Sequence, residues 1–70
     1  MIDIKLRFGK RVRELRYAKG MSQEKLAEIA DIDRTYITGI ENGRRNVSIT
    51  ILEKLAKALD VSLSVLLNEL

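Results

Sequence analysis

Four stretches of the chain open with the same pattern of apolar and polar residues. In each, a polar residue follows an apolar one and precedes another apolar residue by four positions; the polar residues are Ser22, Asp33, Ser48 and Ser62. Their side chains can accept hydrogen bonds from the free N–H groups of a helix's first turn. The flanking apolar pair is a hydrophobic staple. The pattern therefore predicts four helix starts, with apolar positions at helical spacing behind them.

The residues before these starts predict one more helix, over about residues 5–19. Its apolar positions, Phe8, Val12 and Leu15, recur every three or four residues. The side predicted to face solvent carries Lys10, Arg11, Arg13 and Glu14. Residues 1–4 are short and mixed in character, and we expect them to form a lead-in. The sequence therefore predicts an all-α fold of five helices.

Residues 22–43 form a pair of short predicted helices separated by a tight polar turn. The first helix has a narrow apolar stripe made of Leu26, Ala27, Ile29 and Ala30. The second begins at Asp33, places Ile37 and Ile40 on one face, and stops at Gly43. Two short helices joined at an angle are typical of the helix-turn-helix motif, whose second helix lies in the DNA major groove. An ordinary helical hairpin in a small bundle has the same spacing, so both interpretations stay open.

The composition makes several kinds of chemistry unavailable. The 70 residues contain no cysteine and no histidine, which removes disulfides, thiolate chemistry, the common zinc sites and the usual general base. Glu24 and Glu28 lie one turn apart, and Asp31 and Asp33 lie close together, but surface carboxylates at such spacings are mostly solvated or capping groups. We therefore expect no catalytic residue, metal, cofactor or small-molecule ligand, and no enzymatic activity.

The length and hydropathy of the chain bound its organisation. Seventy residues are expected to form one domain over 1–70, whose core supplies only about 3–5 kcal/mol unless association with a second copy adds to it. The sequence has no apolar run of about 18 residues and no signal-peptide pattern. We therefore expect a cytoplasmic protein that does not associate with membranes.

Basic residues concentrate in two parts of the chain. The net charge is +3, and residues 1–20 hold seven of the thirteen basic residues against two acidic ones. The loop after the second helix of the pair places Arg44 and Arg45 between Gly43 and Asn46, a composition suited to phosphate contacts. Both features favour a polyanionic partner such as nucleic acid. The alternatives are a solvated helix face and a solvated turn.

The last two predicted helices, over about residues 48–70, carry more apolar residues than one small core can hold. The fifth helix is expected over about residues 63–68 or beyond. A homodimer interface would cover the surplus, and we predict that it contains Ile49, Ile51, Leu63, Val65, Leu66 and Leu70. The alternative is that some of these residues are tolerated at the surface.

Several segments carry a resemblance to a known family: residues 20–23 (GMSQ), 26–27 (LA), 36–43 (YITGIENG) and 55–59 (LAKAL). From Phe8 to Leu67 the chain resembles the Xre/Cro–CI family of helix-turn-helix transcriptional regulators. Within that span, residues 33–37, 39–41 and 45–48 are similar to the controller proteins of restriction–modification systems. The resemblance implies a five-helix, lambda-repressor-like DNA-binding domain that acts as a homodimer on a palindromic operator.

The resemblance also implies roles for individual residues on double-stranded DNA. Base contacts are expected from Arg34, Thr35, Tyr36, Thr38 and Gly39. Arginine can donate two hydrogen bonds to guanine, and threonine offers a hydroxyl and a methyl group, whereas Tyr36 could equally pack inward. Phosphate contacts are expected from Ser22, Gln23, Asn42, Arg44, Arg45 and Asn46. Arg16 and Glu41 match an ion pair that ties helix one to the end of helix three, a structural role.

Two functions stay open beside that of a controller protein. One is a phage-type repressor, and the other is an antitoxin-like protein-interaction module with accessory DNA binding. For a controller, the resemblance implies activation at low occupancy and repression at high occupancy. Because the chain shows no second domain for sensing a ligand, we expect regulation through coupled dimerisation and operator binding. Asp31 occupies a turn position where many family members carry glycine, and aspartate tolerates positive φ better than most residues.

Overall fold

The computed structural model describes residues 3–70 and contains, over that range, five α-helices and no strand. The helices are α1 (Ile4–Ala18), α2 (Gln23–Ala30), α3 (Arg34–Glu41), α4 (Ile49–Ala58) and α5 (Leu63–Leu66). The predicted all-α fold of five helices is therefore confirmed. Within residues 3–70 no helix is long and apolar enough to cross a membrane.

The four predicted helix starts are confirmed by their hydrogen bonds. The side chains of Ser22, Asp33, Ser48 and Ser62 accept from backbone N–H groups two or three residues further on, at 2.8–3.1 Å. Asp3 does the same for α1 by accepting from the N–H of Lys5 at 2.6 Å. The predicted lead-in is therefore wrong for Asp3 and Ile4, which cap and begin α1, while residues 1–2 lie outside the described part of the chain.

One apolar core lies between all five helices. Helix α1 packs against α3 and α5, α2 packs against α3 and α4, and α5 packs against α4 as well as α1. The largest fully buried side chains are Val12, Leu26, Ile37, Ile40, Leu55, Leu59 and Leu66. These residues come from every helix, so the short helices are held mainly by tertiary packing rather than by their own propensity.

The structure corrects two predicted positions. Leu66 was expected in a dimer interface, but its side chain is 0% exposed and belongs to the core. The reason is that Leu66 is the staple residue of α5 and packs into the core, against which Val61 also packs. Helix α5 is a single turn, shorter than predicted. Ile29 was expected in the apolar stripe of α2, but it is 48% exposed because it lies at the edge of the stripe formed by the other three residues.

Helix α2 ends in the conformation that the turn to α3 requires. Asp31 has φ 57° and ψ 48°, in the left-handed region, and its N–H bonds back to the carbonyl of Glu28 at 3.3 Å. Aspartate is one of the few non-glycine residues that adopt this region readily. The turn thus changes the direction of the chain within three residues, between the end of α2 at Ala30 and the start of α3 at Arg34.

Helices α1 and α3 approach each other closely at Gly9. A Cβ atom built at this position would overlap the carbonyl oxygen of Ile40 and lie 2.7 Å from that of Glu41. The absent side chain therefore lets the backbone of α1 lie directly against the carboxyl-terminal end of α3. The sequence pattern did not single out Gly9, because helical periodicity carries no information on which residue of an inner face touches a neighbouring backbone.

Candidate nucleic-acid interface

The outer face of α3 forms one side of an open, basic concavity. It is lined by Gln23 from α2, by Arg34, Thr35, Thr38 and Gly39 from α3, and by Arg44 and Arg45 from the following loop. Three of these residues are arginines and none is acidic. A concave surface of one sign concentrates an oppositely charged partner near it, and the exposed amino-terminal turn of α3 is where a recognition helix presents side chains to base edges.

The amino-terminal turn of α3 holds Thr35 in a fixed orientation. Its backbone N–H and its hydroxyl both donate to Oδ1 of Asp33, at 2.8 and 2.6 Å. These two hydrogen bonds hold the pKa of Asp33 below its ordinary value. The hydroxyl proton of Thr35 is thus committed to the cap, which leaves its oxygen lone pairs and its methyl group available at the surface beside the exposed Arg34.

Gln23 links the start of α2 to the middle and end of α3. Its Oε1 accepts from the hydroxyl of Thr38 at 2.9 Å, and its Nε2 donates to Oε1 of Glu41 at 3.1 Å. The amide can have only this orientation, because the reverse would place its oxygen against a carboxylate. One N–H of Nε2 stays available at the amino terminus of α2, where backbone N–H groups also favour an anion.

The structure does not place Tyr36 in the concavity with Arg34 and Thr35. Its hydroxyl donates to the carbonyl of Asn46 at 3.4 Å, and its ring packs against the core. The guanidinium of Arg45 lies 4.8 Å from the centre of this ring. Tyr36 therefore supports the loop after α3, and the assignment of a base contact to it stays a prediction.

Arg45 lies over Gly39 in the concavity. The Cγ and Nε atoms of Arg45 are 3.1 Å from the position that a Cβ atom of Gly39 would occupy. Of the other residues predicted to contact phosphates, Ser22, Asn42, Arg44 and Asn46 are all exposed. Ser22 caps α2 and Asn42 caps the end of α3, so both lie at helix termini.

Arg16 and Glu41 form a two-pronged ion pair beneath this surface. Nε and Nη2 of Arg16 donate to the two carboxylate oxygens of Glu41 at 2.7 and 3.0 Å, and Nη1 donates to the carbonyl of Met21 at 2.8 Å. Burial raises the pKa of Glu41, but the hydrogen bonds from Arg16 and Gln23 outweigh it, and the pKa lies below its ordinary value. The hydrogen bond to Glu41 likewise raises the pKa of Arg16 against the effect of burial.

The helical pattern of α1 did not reveal that two of its arginines contact other helices. It placed Arg11 and Arg13 on the solvent side, whereas Nε and Nη2 of Arg11 donate to the carbonyl of Val65 at 3.2 and 2.8 Å. Arg13 approaches Glu41, with Nε 3.4 Å from Oε1 and Nη2 3.3 Å from the backbone carbonyl. Arg13 and Arg16 are three residues apart and therefore lie on one face of the helix. This spacing is the sequence signal that could have placed Arg13 near the ion pair.

The predicted dimer residues differ in exposure. Ile49 is 76% exposed, and Leu63 and Val65 are also exposed, whereas Ile51 and Leu70 are partly buried against the core. Leu67 is not among the residues predicted for the interface, but it is exposed next to Leu66. Among residues 3–70 no cluster of three or more carboxylates is arranged to hold a metal ion.

The α2–turn–α3 geometry and the basic concavity define a helix-turn-helix DNA-binding protein. Residues 12–66 match the family described as Helix-turn-helix, and the chain belongs to this family. Over its whole length the chain is 48% identical to control protein C.MunI from a Mycoplasma species, and the match covers 96% of that protein. The resemblance to restriction–modification controller proteins is thereby confirmed.

Solved structures also show the similarity to restriction–modification controller proteins. The restriction–modification controller protein C.AhdI from Aeromonas hydrophila has a TM-score of 0.87 at 52% identity, covering 89% of this chain and 94% of that one. The structure of C.Esp1396I bound to a 25 base pair operator site has a TM-score of 0.80 at 40% identity, covering 89% and 82% of the two chains.

Proposed function

We propose that this protein is a sequence-specific DNA-binding transcriptional regulator of the restriction–modification controller type. The observation that carries the proposal is the concavity on α3, where three arginines and two threonines lie on one surface without an acidic residue. Similarity to C.MunI, C.AhdI and the operator-bound C.Esp1396I supports the specific role of controller. The protein is in this view a binding protein rather than an enzyme, and it works in the cytoplasm on duplex DNA.

The geometry suggests a division of work between base and phosphate contacts. Arg34 and Thr35, at the exposed start of α3, are the base readers. Arginine can donate two hydrogen bonds to guanine, and the free methyl group of Thr35 can contact the methyl group of thymine. Thr38 and Gly39 lie against the groove. Arg44 and the amino terminus of α2 at Gln23 contact the phosphates, which fixes the orientation of α3 without reading sequence.

The same proposal includes a homodimer on a palindromic operator. The apolar side chains of Ile49, Leu63, Val65 and Leu67 are exposed, and a second copy would cover them. Two copies related by a two-fold axis present two α3 helices to half-sites about one helical turn apart. Dimerisation and DNA binding are then coupled, so occupancy of the operator rises steeply with protein concentration, with activation at low occupancy and repression at high occupancy.

Selection of binding sites tests the proposal directly. The purified protein is incubated with a random duplex library at near-physiological salt, and the bound fraction is amplified and sequenced over several rounds. We expect an enriched inverted repeat with half-sites about one helical turn apart. Strong binding at low salt alone, without any enriched motif, would contradict the proposal and favour the antitoxin-like interaction module, which a tightly bound second protein on purification would also support.

A further inference from the structure

The buried carboxylate of Glu41 has two arginines beside it. Arg16 makes the short two-pronged contact, at 2.7 and 3.0 Å, while Arg13 approaches the same group at 3.4 Å. One carboxylate balances one guanidinium. The cluster therefore keeps one positive charge that Glu41 does not neutralise, at the place where α1, α2 and α3 meet.

The excess charge belongs to Arg13 rather than to Arg16. The side chain of Arg16 is 8% exposed and its hydrogen bonds to Glu41 and Met21 use all three guanidinium nitrogens. The side chain of Arg13 is 41% exposed, and its two contacts, to a carboxylate and to a backbone carbonyl, are long. Arg13 is therefore held near a fixed position while part of its guanidinium still faces solvent.

The position of Arg13 is next to the basic concavity. Arg13 Nε and Gln23 Nε2 both approach the same oxygen, Oε1 of Glu41, and Gln23 lines the concavity together with Thr38. Arg13 thus stands beside the amino terminus of α2, an eight-residue helix whose first N–H groups and dipole favour an anion. The full positive charge of Arg13 and the partial positive charge of the α2 amino terminus therefore lie at the same edge of the concavity.

We propose that Arg13 binds a phosphate group of the DNA backbone, at the edge where α2 begins. This inference rests on the proposed DNA-binding function and adds a contact outside the α2–α3 motif. The phosphate supplies the second negative charge that the pair Arg13 and Arg16 lacks, and the free part of the Arg13 guanidinium forks onto two phosphate oxygens. Glu41 then has two roles: it neutralises Arg16 and positions Arg13.

The salt dependence of DNA binding tests this assignment. Each phosphate neutralised by a cationic side chain contributes about 0.9 to the slope of log affinity against log salt on duplex DNA. We expect Arg13→Ala to lower the slope by about 0.9 per protomer, or about 1.8 for a dimer, equally on the selected operator and on an unrelated duplex. Arg13→Lys should keep most of the slope, since it retains the charge and loses only the fork.

Lys10→Ala is the matched control. It removes the same charge from the same helix, but Lys10 lines a different groove, with Asn68, Glu69 and Leu70. We expect its slope to equal that of the unmodified protein, and thermal unfolding should show Arg13→Ala folded. An unchanged slope in Arg13→Ala, or an equal loss in Lys10→Ala, overturns the assignment. If the unmodified protein shows no operator preference, the proposed function fails first, and that result is distinct from either.

Discussion

Arg16 of α1 and Glu41 of α3 share two hydrogen bonds, of 2.7 and 3.0 Å, although both side chains are almost completely buried. Glu41 is the last residue of α3, and the backbone of α1 touches the same end of that helix at Gly9. The ion pair and the close backbone contact together fix α3 relative to α1. The orientation of the recognition helix is therefore set by contacts with α1 at its carboxyl-terminal end.

Removing one member of this pair should be strongly destabilising. Arg16→Ala leaves the carboxylate of Glu41 buried with only Gln23 at 3.1 Å and the longer contact to Arg13 at 3.4 Å. Such a change costs about 3–5 kcal/mol. That loss is comparable with the whole stability of a domain of this size, about 3–5 kcal/mol without association. Urea titration followed by circular dichroism measures the free energy of unfolding.

The control for this loss is an ion pair at the surface. Lys25 and Glu28 pair at 3.2 Å on α2, and both side chains are more than half exposed, so Lys25→Ala should cost less than about 1 kcal/mol. Equal losses in Arg16→Ala and Lys25→Ala would show that the buried pair contributes no more than an exposed one.

Acidification should weaken the fold through Glu41. The folded-state pKa of Glu41 lies below its ordinary value despite burial, because Arg16 and Gln23 stabilise the carboxylate. The unfolded chain therefore takes up the proton first as the pH falls, so stability is fully present above the ordinary pKa of glutamate and is lost as the pH falls through the lower, folded-state pKa. Urea midpoints measured from neutral pH downward should fall more steeply in the unmodified protein than in Glu41→Gln.

Asp33 also contributes to the loss of stability at low pH, and its contribution has to be measured separately from that of Glu41. Its pKa is also lowered, by hydrogen bonds from Thr35 at the start of α3. Asp33→Asn should therefore remove a different part of the pH dependence while the contribution of Glu41 persists. Parallel curves for the unmodified protein and Glu41→Gln would contradict the role given to the buried carboxylate.

The helix starts were predictable from sequence because each depends on residues close together in the chain. A cap such as Ser22 acts on an N–H group three residues away, and the two residues of its staple are only five positions apart. Contacts between helices carry no such local signal. The close approach at Gly9, the hydrogen bonds of Arg11 to Val65 and the bridge formed by Gln23 all depend on how separate helices cross, which apolar periodicity leaves undetermined.

The candidate site was predictable to a different degree. Arg34 and Thr35, which the resemblance gives as base readers, lie exposed on the first turn of α3. The resemblance also groups Tyr36 with them, whereas the structure turns this ring toward the loop at Asn46. Neighbouring residues of a helix point about 100° apart, so three successive residues cannot share one narrow face. Of the three, Tyr36 is the residue whose side chain packs against the core.

The two glycines inside helices should respond oppositely to alanine. Gly9→Ala places a methyl group against the backbone carbonyls of Ile40 and Glu41, which cannot move without displacing α3. Overpacking of this kind costs about 1–3 kcal/mol, more than the roughly 1 kcal/mol gained from helix propensity. Thermal and urea unfolding should both show Gly9→Ala to be less stable than the unmodified protein.

Gly39→Ala is the matched comparison, because the atoms nearest its new methyl group belong to the flexible side chain of Arg45, at 3.1 Å. Arg45 can move aside, so the gain in helix propensity should leave the variant as stable as the unmodified protein or more so. A loss of stability in Gly39→Ala equal to that in Gly9→Ala would mean that the close approach of α1 to α3 carries no special cost.

Arg34 and Arg44 should differ in how their loss affects DNA binding. Arg34→Ala should cost about 1–3 kcal/mol on the selected operator and relax the preference at one base pair, because a base-edge contact is lost. Arg44→Ala should weaken binding to all sequences by a similar factor and lower the salt slope, because a phosphate contact is lost. Fluorescence anisotropy on operator variants measures both. Uniform weakening by Arg34→Ala would reassign Arg34 to the DNA backbone.

Ile49 offers the sharpest test of the dimer surface. It is the first residue of α4 and 76% exposed, so Ile49→Glu adds a negative charge where the helix dipole favours it and should leave the fold intact. The same charge should weaken dimerisation, measured by sedimentation equilibrium, and reduce operator binding with it. Leu66→Ala should act differently, because Leu66 lies in the core: it should cost about 2–5 kcal/mol of folding stability.

The control for Ile49→Glu is Ile29→Glu, at an exposed residue of α2 outside the predicted interface, and it should keep the dimer. Dimerisation unchanged in Ile49→Glu would remove the start of α4 from the interface.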